Sequence, residues 1–278
     1  MSTTADDSTP QTAETHSFQA EVTRLLDIVA RSLYSDKEIF LRELVSNASD
    51  ACDKLRYEAL TDPSLLDGDG DLKITITANA KARTLTIADN GIGMSHQELV
   101  DNLGTIARSG TAAFVEQINQ TEDADNNLIG QFGVGFYSAF MVADKVTVTS
   151  RRAGAAEAWQ WVSDGKGSFT VTPSDSDTAR GTNVVLHLAK GEKEFLEAVR
   201  ISHIIKTYSD HIALPINLVG EEGATEQLNA ASALWTRPRN DITQEQYTEF
   251  YHHVGHMFDE PWLTLHNRVE GKIEYTNL

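Results

Sequence analysis

The sequence predicts an α/β protein with a largely antiparallel sheet, and three observations support this fold class. First, Leu85 and Ile87 alternate with threonines as in a half-buried strand, which then runs through an Asn-Gly-x-Gly turn into a helix. Second, the short strands predicted between residues 145 and 188 are separated mainly by glycine turns, which is typical of an antiparallel meander. Third, apolar residues recur at helical spacing in several other segments.

The composition is that of a globular protein without a membrane span. The chain has 278 residues, of which 40% are hydrophobic, and it contains no run of about 18 apolar residues. Its net charge of −18 argues against a nucleic-acid or anionic-membrane partner. Cys52 is the only cysteine, which excludes an internal disulfide and is typical of a reducing compartment, so we expect a cytoplasmic protein.

Composition also divides the chain into four parts. Residues 1–15 are polar and lack the apolar core of a signal peptide, which predicts a disordered tail. Residues 16–219 carry the patterned elements of a first domain, and residues 220–233 are small and polar, as in a linker. Residues 234–278 begin a second domain that stops within a predicted strand, so we expect the chain to be a fragment.

The helix predicted from Ser35 to about Tyr57 presents a polar row beside its apolar face. Its first four residues have the form of a capping box. At 100° per residue the apolar positions fall on an arc of roughly 120°. A separate arc of roughly 60° holds Glu43, Asn47, Asp50 and Lys54. A solvated face with i,i+4 pairs would explain this row, but Glu and Asn one turn apart also suit a water-activating base and an oxygen ligand for Mg²⁺.

The turn after the strand at residues 84–88 suits a flat ligand. Asp89 lies at the mouth of the sheet, where a carboxylate can accept hydrogen bonds from an exocyclic amine, and the two glycines of the turn let a ligand approach the backbone. Met94 can lie against a ring face. A capping box from Ser95 to Glu98 starts the next helix. A purely structural turn acid is the alternative interpretation.

A second glycine-rich segment, from Gly130 to Val142, precedes an apolar helix. Free backbone N–H groups at such a helix start can hold phosphates, although a tight packing turn has the same pattern. Residues 102–133 are polar with glycine hinges and a predicted helix at 112–118, so they are a candidate lid or else a surface loop.

The remaining elements follow local patterns. A strand at 72–77 is expected to pair with 84–88 across the turn at 80–83. The other predicted elements are helices at 22–33, 195–208 and 243–254, and strands at 145–151, 157–162, 168–172, 182–188, 214–219 and 271–277.

Taken together, the motifs resemble the GHKL superfamily of ATP-binding domains, and most closely the bacterial ninety-kilodalton heat-shock chaperones. Each motif is weak alone, but their order and spacing match that family over about residues 18–278. The matching stretches are Arg42–Ala51, Asp89–Met94, Leu103–Thr111, Gly130–Tyr137 and Trp235–Pro238.

The resemblance implies a two-layer Bergerat-type sandwich, with a mainly antiparallel mixed sheet covered by helices on one face. It also implies an ATPase that binds ATP or ADP with Mg²⁺. In that family pattern Glu43 matches the general base and Asn47 the Mg²⁺ ligand. Asp89 matches the carboxylate that binds the adenine amine, helped by Thr182 and Gly93.

The same resemblance implies the rest of the pocket. Apolar contacts to base and sugar match Met94, Leu103 and Phe136. Polar lining positions match Asp50, Lys54 and Asn102. The backbone that holds phosphate matches Gly133, Val134, Gly135 and Phe136.

The implied activity is that of an ATP-dependent chaperone. ATP hydrolysis would close the lid and clamp a homodimer around unfolded or partly folded client proteins. We expect slow hydrolysis from this chain, because the family's middle-domain arginine should lie beyond Leu278. The alternatives are another GHKL enzyme, such as a histidine kinase or topoisomerase-like ATPase, and a non-catalytic nucleotide-sensing module that docks proteins.

Overall fold

A computed structural model describes residues 36–105, 133–175, 177–220, 223–231, 234–255, 259–269 and 275–278. Three predictions lie outside these residues. They are the tail at 1–15, the helix at 22–33, and all of the candidate lid except its ends, including the helix at 112–118.

Eight strands form the main sheet, and α-helices precede, interrupt and follow them. The strands are β1 Ile74–Asn79, β2 Thr84–Asp89, β3 Ala143–Arg151, β4 Ala158–Ser163, β5 Phe169–Pro173, β6 Gly181–Leu188, β7 Ile216–Val219 and β8 Thr225–Gln227. The helices are α1 Ile39–Ala59, α2 His96–Gly104, α3 Ala198–Ser209 and α4 Gln244–Gly255.

The sheet is mixed but mainly antiparallel, in the order β5-β4-β3-β6-β2-β1-β7-β8. Strands β1 and β2 form the predicted hairpin, with Ile76 opposite Ile87. Only β1 and β7 pair in parallel among the described strands, because the chain returns to the sheet through α3. The predicted α/β class with a mainly antiparallel sheet is therefore confirmed.

The core lies between this sheet and the helices. Alternate strand residues such as Ile76, Ile87 and Val148 are buried in one cluster with Leu44 of α1 and Ile204 of α3. Cys52 belongs to the same cluster. Burial, with the nearby Asp89 carboxylate, raises the pKa of its thiol, so Cys52 is an uncharged core residue.

Two predicted helix starts differ from the observed ones. The helix α1 begins at Ile39, with Glu38 as its N-cap residue and no side-chain cap there. Ser35, the other member of the predicted capping box, lies outside the described residues. The Glu38 carboxylate lies 2.5 Å from Arg200, because α3 packs beside the start of α1. The apolar helix predicted after Gly133 is a 3₁₀-helix, Gly135–Met141.

The predicted linker at 220–233 contains β8, which pairs antiparallel with β7. All three residues of β8 are exposed, so this edge strand shows no alternation of apolar and polar residues. Asn229 follows it and is buried. Its side chain accepts a hydrogen bond from the Ile216 N–H and donates to the Ile212 and Leu214 carbonyls. The end of this segment is thus fastened to the main sheet.

The residues after 234 form separate small elements. The helix predicted at 243–254 is α4, and a capping box at Thr243 and Gln246 starts it, with hydrogen bonds of 3.0 and 3.3 Å. Strands β9, Asn267–Val269, and β10, Tyr275–Asn277, pair antiparallel. Residues 271–274 of the predicted last strand lie outside the described ranges. Within those ranges, no helix has both the length and the apolar character needed to cross a membrane.

Candidate functional site

Three polar side chains lie in one row across the middle of the sheet. Ser150 of β3 is the register partner of Thr182 of β6, and Thr182 is the partner of Asp89 of β2. Register partners point to the same side of a sheet. In β2 that side carries Leu85 and Ile87, which are buried. The row therefore continues the core-facing side of the sheet, and Asp89 is a carboxylate at a core-facing position.

Ser150 connects this row to the turn that follows β2. Its hydroxyl oxygen lies 2.9 Å from the Thr182 hydroxyl and 2.9 Å from the Gly181 carbonyl. It also accepts a hydrogen bond of 2.8 Å from the Met94 N–H. Met94 and Thr182, both predicted site residues, are thus held by one buried side chain.

The pKa of Asp89 is raised from its ordinary value to about 7. Part of the side chain remains accessible, but dense protein surrounds the carboxyl group, and the resulting desolvation is the main cause. The backbone N–H groups of Gly91 and Thr182 and the charge of Arg180 oppose this shift only in part. The carboxyl group can therefore gain or lose a proton near neutral pH.

The glycines of the turn at residues 89–94 are required by packing within the protein. A Cβ on Gly91 would lie 2.6 Å from the Ala51 carbonyl carbon of α1. Gly93 has φ +66°, and a Cβ there would overlap the Arg151 carbonyl oxygen. Close approach of protein backbone therefore accounts for both glycines before any ligand is considered.

Buried Arg180 fixes the turn at residues 89–94 by hydrogen bonds to backbone carbonyls. Its guanidinium donates to the Asn90 carbonyl at 2.9 and 3.0 Å, and to the carbonyls of Leu65, Leu66 and Asp69. These contacts join the turn to the loop after α1. The position of Asp89 is thus set by bonds to residues distant in sequence.

Glu43 and Gly135 are brought together. Arg42 binds Oε1 of Glu43, with its Nη2 at 2.5 Å. Oε2 of Glu43 occupies the space that a Cβ on Gly135 would need, so a larger residue at this position would have to displace the end of the Glu43 side chain. One carboxylate oxygen is therefore held by an arginine, while the other faces the start of the 3₁₀-helix.

The rest of the predicted polar row follows Glu43 along α1. Asn47 and Lys54 are half-buried, and Asp50 is buried at 5% exposure. Burial, together with the charge of Arg152, lowers the pKa of Lys54. A buried acid and a partly desolvated lysine make this row unlike an ordinary solvated face, which was the alternative interpretation.

The described residues include one amide side chain of the kind that binds Mg²⁺ at nucleotide sites. Within those residues, no three His, Cys, Asp or Glu side chains group closely enough to hold a metal. Asn47 supplies an amide oxygen one turn from Glu43. Mg²⁺ at nucleotide sites takes one or two protein ligands and completes its shell with phosphate and water. Among the residues of the polar row, Asn47 thus has the side chain that could supply one such ligand.

The other predicted site residues lie at the edges of this region. Leu103 is buried in the core cluster, and Met94 and Phe136 pack against it. The Phe136 ring meets the Trp161 ring edge-on at 5.5 Å. Asn102 is half-buried in the last turn of α2. Gly133, with φ +64°, and Val134 lead into Gly135 and the 3₁₀-helix.

Sequence patterns did not point to Ser150, Arg42 or Arg180. For Ser150 a signal exists, since it is a polar residue on the face of β3 that carries Val146 and Val148. Arg42 is visible only as the neighbour of Glu43. No local pattern identifies Arg180, because its five hydrogen bonds reach carbonyls about 90 to 115 residues away.

Comparison with known families identifies the class of protein. Residues 34–190 match the family described as histidine kinase-, DNA gyrase B-, and HSP90-like ATPase. This match covers more than half of the chain, and the chain belongs to that family of ATPases. Residues 221–278 match the family described as Hsp90 protein.

Individual relatives narrow the comparison. Proteins named "Chaperone protein HtpG" from Rhodospirillum rubrum, Paramagnetospirillum magneticum and Roseobacter denitrificans are 63%, 62% and 61% identical to this chain over 95% of its length. The chain spans 43%, 42% and 42% of those relatives, which is less than half of their length. The predicted resemblance to bacterial heat-shock chaperones is thus confirmed.

Proposed function

We propose that this chain binds Mg-ATP and hydrolyses it slowly, as the nucleotide-binding part of an ATP-dependent chaperone. In this proposal Asp89 accepts hydrogen bonds from the adenine amine, and Thr182 and Gly93 assist. Glu43 is the general base that takes a proton from the attacking water. Asn47 binds Mg²⁺, and the backbone from Gly133 to Phe136 holds phosphate.

The observation that carries the proposal is a titratable carboxyl group on the core-facing side of the sheet. A carboxyl group whose pKa is raised by desolvation costs stability at neutral pH, so its presence favours a functional role. Asp89 also lies beside Thr182, whose hydroxyl is a second hydrogen-bonding group for a base.

The contact between Glu43 and Gly135 supports the proposed position of the general base beside the phosphate. Arg42 orients the Glu43 carboxylate, and Oε2 faces the start of the 3₁₀-helix. A phosphate held by that backbone would place its terminal group near Oε2, where a base must lie. Bound Mg²⁺ would neutralise phosphate charge. Catalysis by this chain then consists of positioning water and phosphate.

In the whole protein, we infer that hydrolysis is coupled to lid closure and to clamping of a homodimer on partly folded clients. The names of the relatives support a chaperone. A cytoplasmic location belongs to the same proposal.

Calorimetric titration of Mg-ADP into the chain tests the proposal most directly. We expect saturable one-site binding that weakens when EDTA removes Mg²⁺. Phosphate release from Mg-ATP should be measurable but slower than that of the full-length protein. A chain that binds nucleotide while the full-length protein shows no hydrolysis would be a nucleotide sensor, and absence of binding would leave only a docking module.

Nucleotide affinity should depend on pH through Asp89. The amine needs an ionised carboxylate as acceptor, so we expect affinity for Mg-ADP to fall by up to about tenfold per pH unit below 7. The folding stability depends on pH in the opposite direction to the nucleotide affinity. Because the folded pKa lies above the ordinary value, the folded state holds this proton more tightly, and the contribution of Asp89 to stability falls as pH rises towards 7.

Titrations at pH 6, 7 and 8 measure this effect. Adenosine is the control ligand, since it has no phosphate to titrate. Equal affinity at pH 6 and pH 8 for both ligands would contradict a pH dependence through Asp89.

A further inference from the structure

We propose that Ser150 determines which nucleobase the site accepts, by making the Thr182 hydroxyl a hydrogen-bond acceptor towards the ligand. The inference rests on the proposed function, which places the base beside Asp89 and Thr182. It adds a specificity-determining residue that does not itself touch the base.

The hydroxyl group of Ser150 has one proton to donate and two lone pairs that accept. Ser150 has three polar neighbours within 2.9 Å. The Met94 N–H can only donate, so it uses one lone pair of Ser150. The Gly181 carbonyl can only accept, so it uses the Ser150 proton.

These two contacts determine that the third neighbour, the Thr182 hydroxyl, acts as a hydrogen-bond donor to Ser150. One lone pair of Ser150 remains, and it is satisfied only if Thr182 donates its proton. The opposite assignment would give the Ser150 proton to Thr182. It would leave the Gly181 carbonyl oxygen 2.9 Å from a hydroxyl oxygen with no proton between them. Only the first assignment makes all three contacts hydrogen bonds.

Burial keeps this arrangement in place. Ser150 has no exposed surface, and Thr182 is 9% exposed. Breaking a hydrogen bond at a buried hydroxyl leaves a polar group unpaired and destabilises the protein. Thr182 therefore has its proton committed to Ser150, and its oxygen presents lone pairs to any ligand on the core-facing side.

The two groups facing the base then have the same polarity. Ionised Asp89 is acceptor-only, and its Oδ1 already accepts from the Gly91 N–H. Thr182 is acceptor-only towards the ligand. Such a pair suits an amine at position 6 of a purine, or a water that donates to both. It opposes a carbonyl oxygen at the same position, since that oxygen has no proton to offer.

The test compares Mg-ADP with the Mg complex of inosine diphosphate, which replaces the amine by a carbonyl oxygen. We expect wild type to prefer Mg-ADP. In Ser150→Ala, Thr182 regains a free proton that can turn to the ligand. The ratio of the affinity for Mg-ADP to the affinity for the inosine diphosphate complex should then fall by about tenfold. Ser150→Thr keeps a hydroxyl and should retain the wild-type preference.

Thr182→Val completes a double-mutant cycle, because adding Ser150→Ala to it should leave the preference unchanged. Thermal unfolding of each variant checks its fold. Should Ser150→Ala unfold, Ser150→Cys carries the same comparison, since a thiol is a weak hydrogen-bonding group of similar size.

A merely structural Ser150 would weaken both nucleotides by the same factor, and that result would overturn the inference. So would a wild-type chain that binds both nucleotides equally, although nucleotide binding would then stand. A wild-type chain that binds neither nucleotide would overturn the proposed function and this inference together.

Discussion

Asp89→Asn is expected to lower the affinity for Mg-ADP by about a hundredfold or more. The asparagine side chain keeps the shape of the aspartate, but it has one acceptor instead of two and adds an N–H donor. A donor facing the adenine amine leaves a polar group unpaired in a buried site, which costs on the order of 3 kcal/mol. Calorimetric titration at pH 8 measures the loss, since Asp89 is then mostly ionised in wild type.

The same substitution should not lower stability. Burial of Asp89 disfavours its charged form, and asparagine carries no charge, so we expect the melting temperature at pH 8 to equal or exceed that of wild type. Asp164→Asn is the matched control, because it makes the same chemical change at a half-exposed side chain in the turn between β4 and β5. Unchanged binding in Asp89→Asn would make Asp89 a structural turn residue and remove the central support of the proposed site.

Glu43→Gln should reduce phosphate release by about a hundredfold to ten-thousandfold, the range that general-base catalysis contributes. Affinity for Mg-ATP should stay within a few-fold of wild type, because the glutamine has nearly the same shape and the base does not bind the nucleotide. Single-turnover phosphate release from the full-length protein measures the chemical step, and calorimetry measures binding.

Glu194→Gln is the control for this substitution. Its carboxylate is half-exposed and pairs with Arg200, beside the start of α3. It should leave hydrolysis unchanged. Hydrolysis at the wild-type rate in Glu43→Gln would assign the general base to another residue. Loss of binding together with hydrolysis would instead give Glu43 a role in holding the nucleotide.

Both experiments separate the candidate functions. Binding lost in Asp89→Asn and turnover lost in Glu43→Gln describe an ATPase. Binding lost in Asp89→Asn, with no turnover in any form of the protein, describes a nucleotide sensor. Asp89 is proposed to bind the base and Glu43 to act at the terminal phosphate, so the two variants probe opposite ends of the proposed ligand.

The sequence alone determined those features that depend on residues close together in the chain. The capping box from Ser95 to Glu98 forms as predicted, since both of its hydrogen bonds span three residues. The hairpin of β1 and β2 follows from a short turn and from alternation. The polar row on α1 follows from helical geometry, and the structure shows that row partly buried.

Tertiary structure decided the features that depend on contacts between distant segments. Parallel pairing of β1 with β7 joins segments about 140 residues apart, and no local pattern contains that register. The exposed strand β8 has no apolar face to reveal it. Glu38 pairs with Arg200, more than 160 residues away in the chain, because the packing of α3 brings the guanidinium beside it.

The residues of the candidate site also fall into these two groups, those predictable from the sequence and those that depend on the folded chain. Residue types and spacing were enough to propose Glu43, Asn47 and Asp89, because an acid or an amide shows its chemistry in the sequence. Ser150 could not be assigned a role in this way, since a serine in a strand is chemically unremarkable. Its proposed role depends on the alignment of β3 and β6, which places its hydroxyl group between the Gly181 carbonyl and the Thr182 hydroxyl. A hydroxyl acquires direction only from its neighbours, and these are determined by the folded chain.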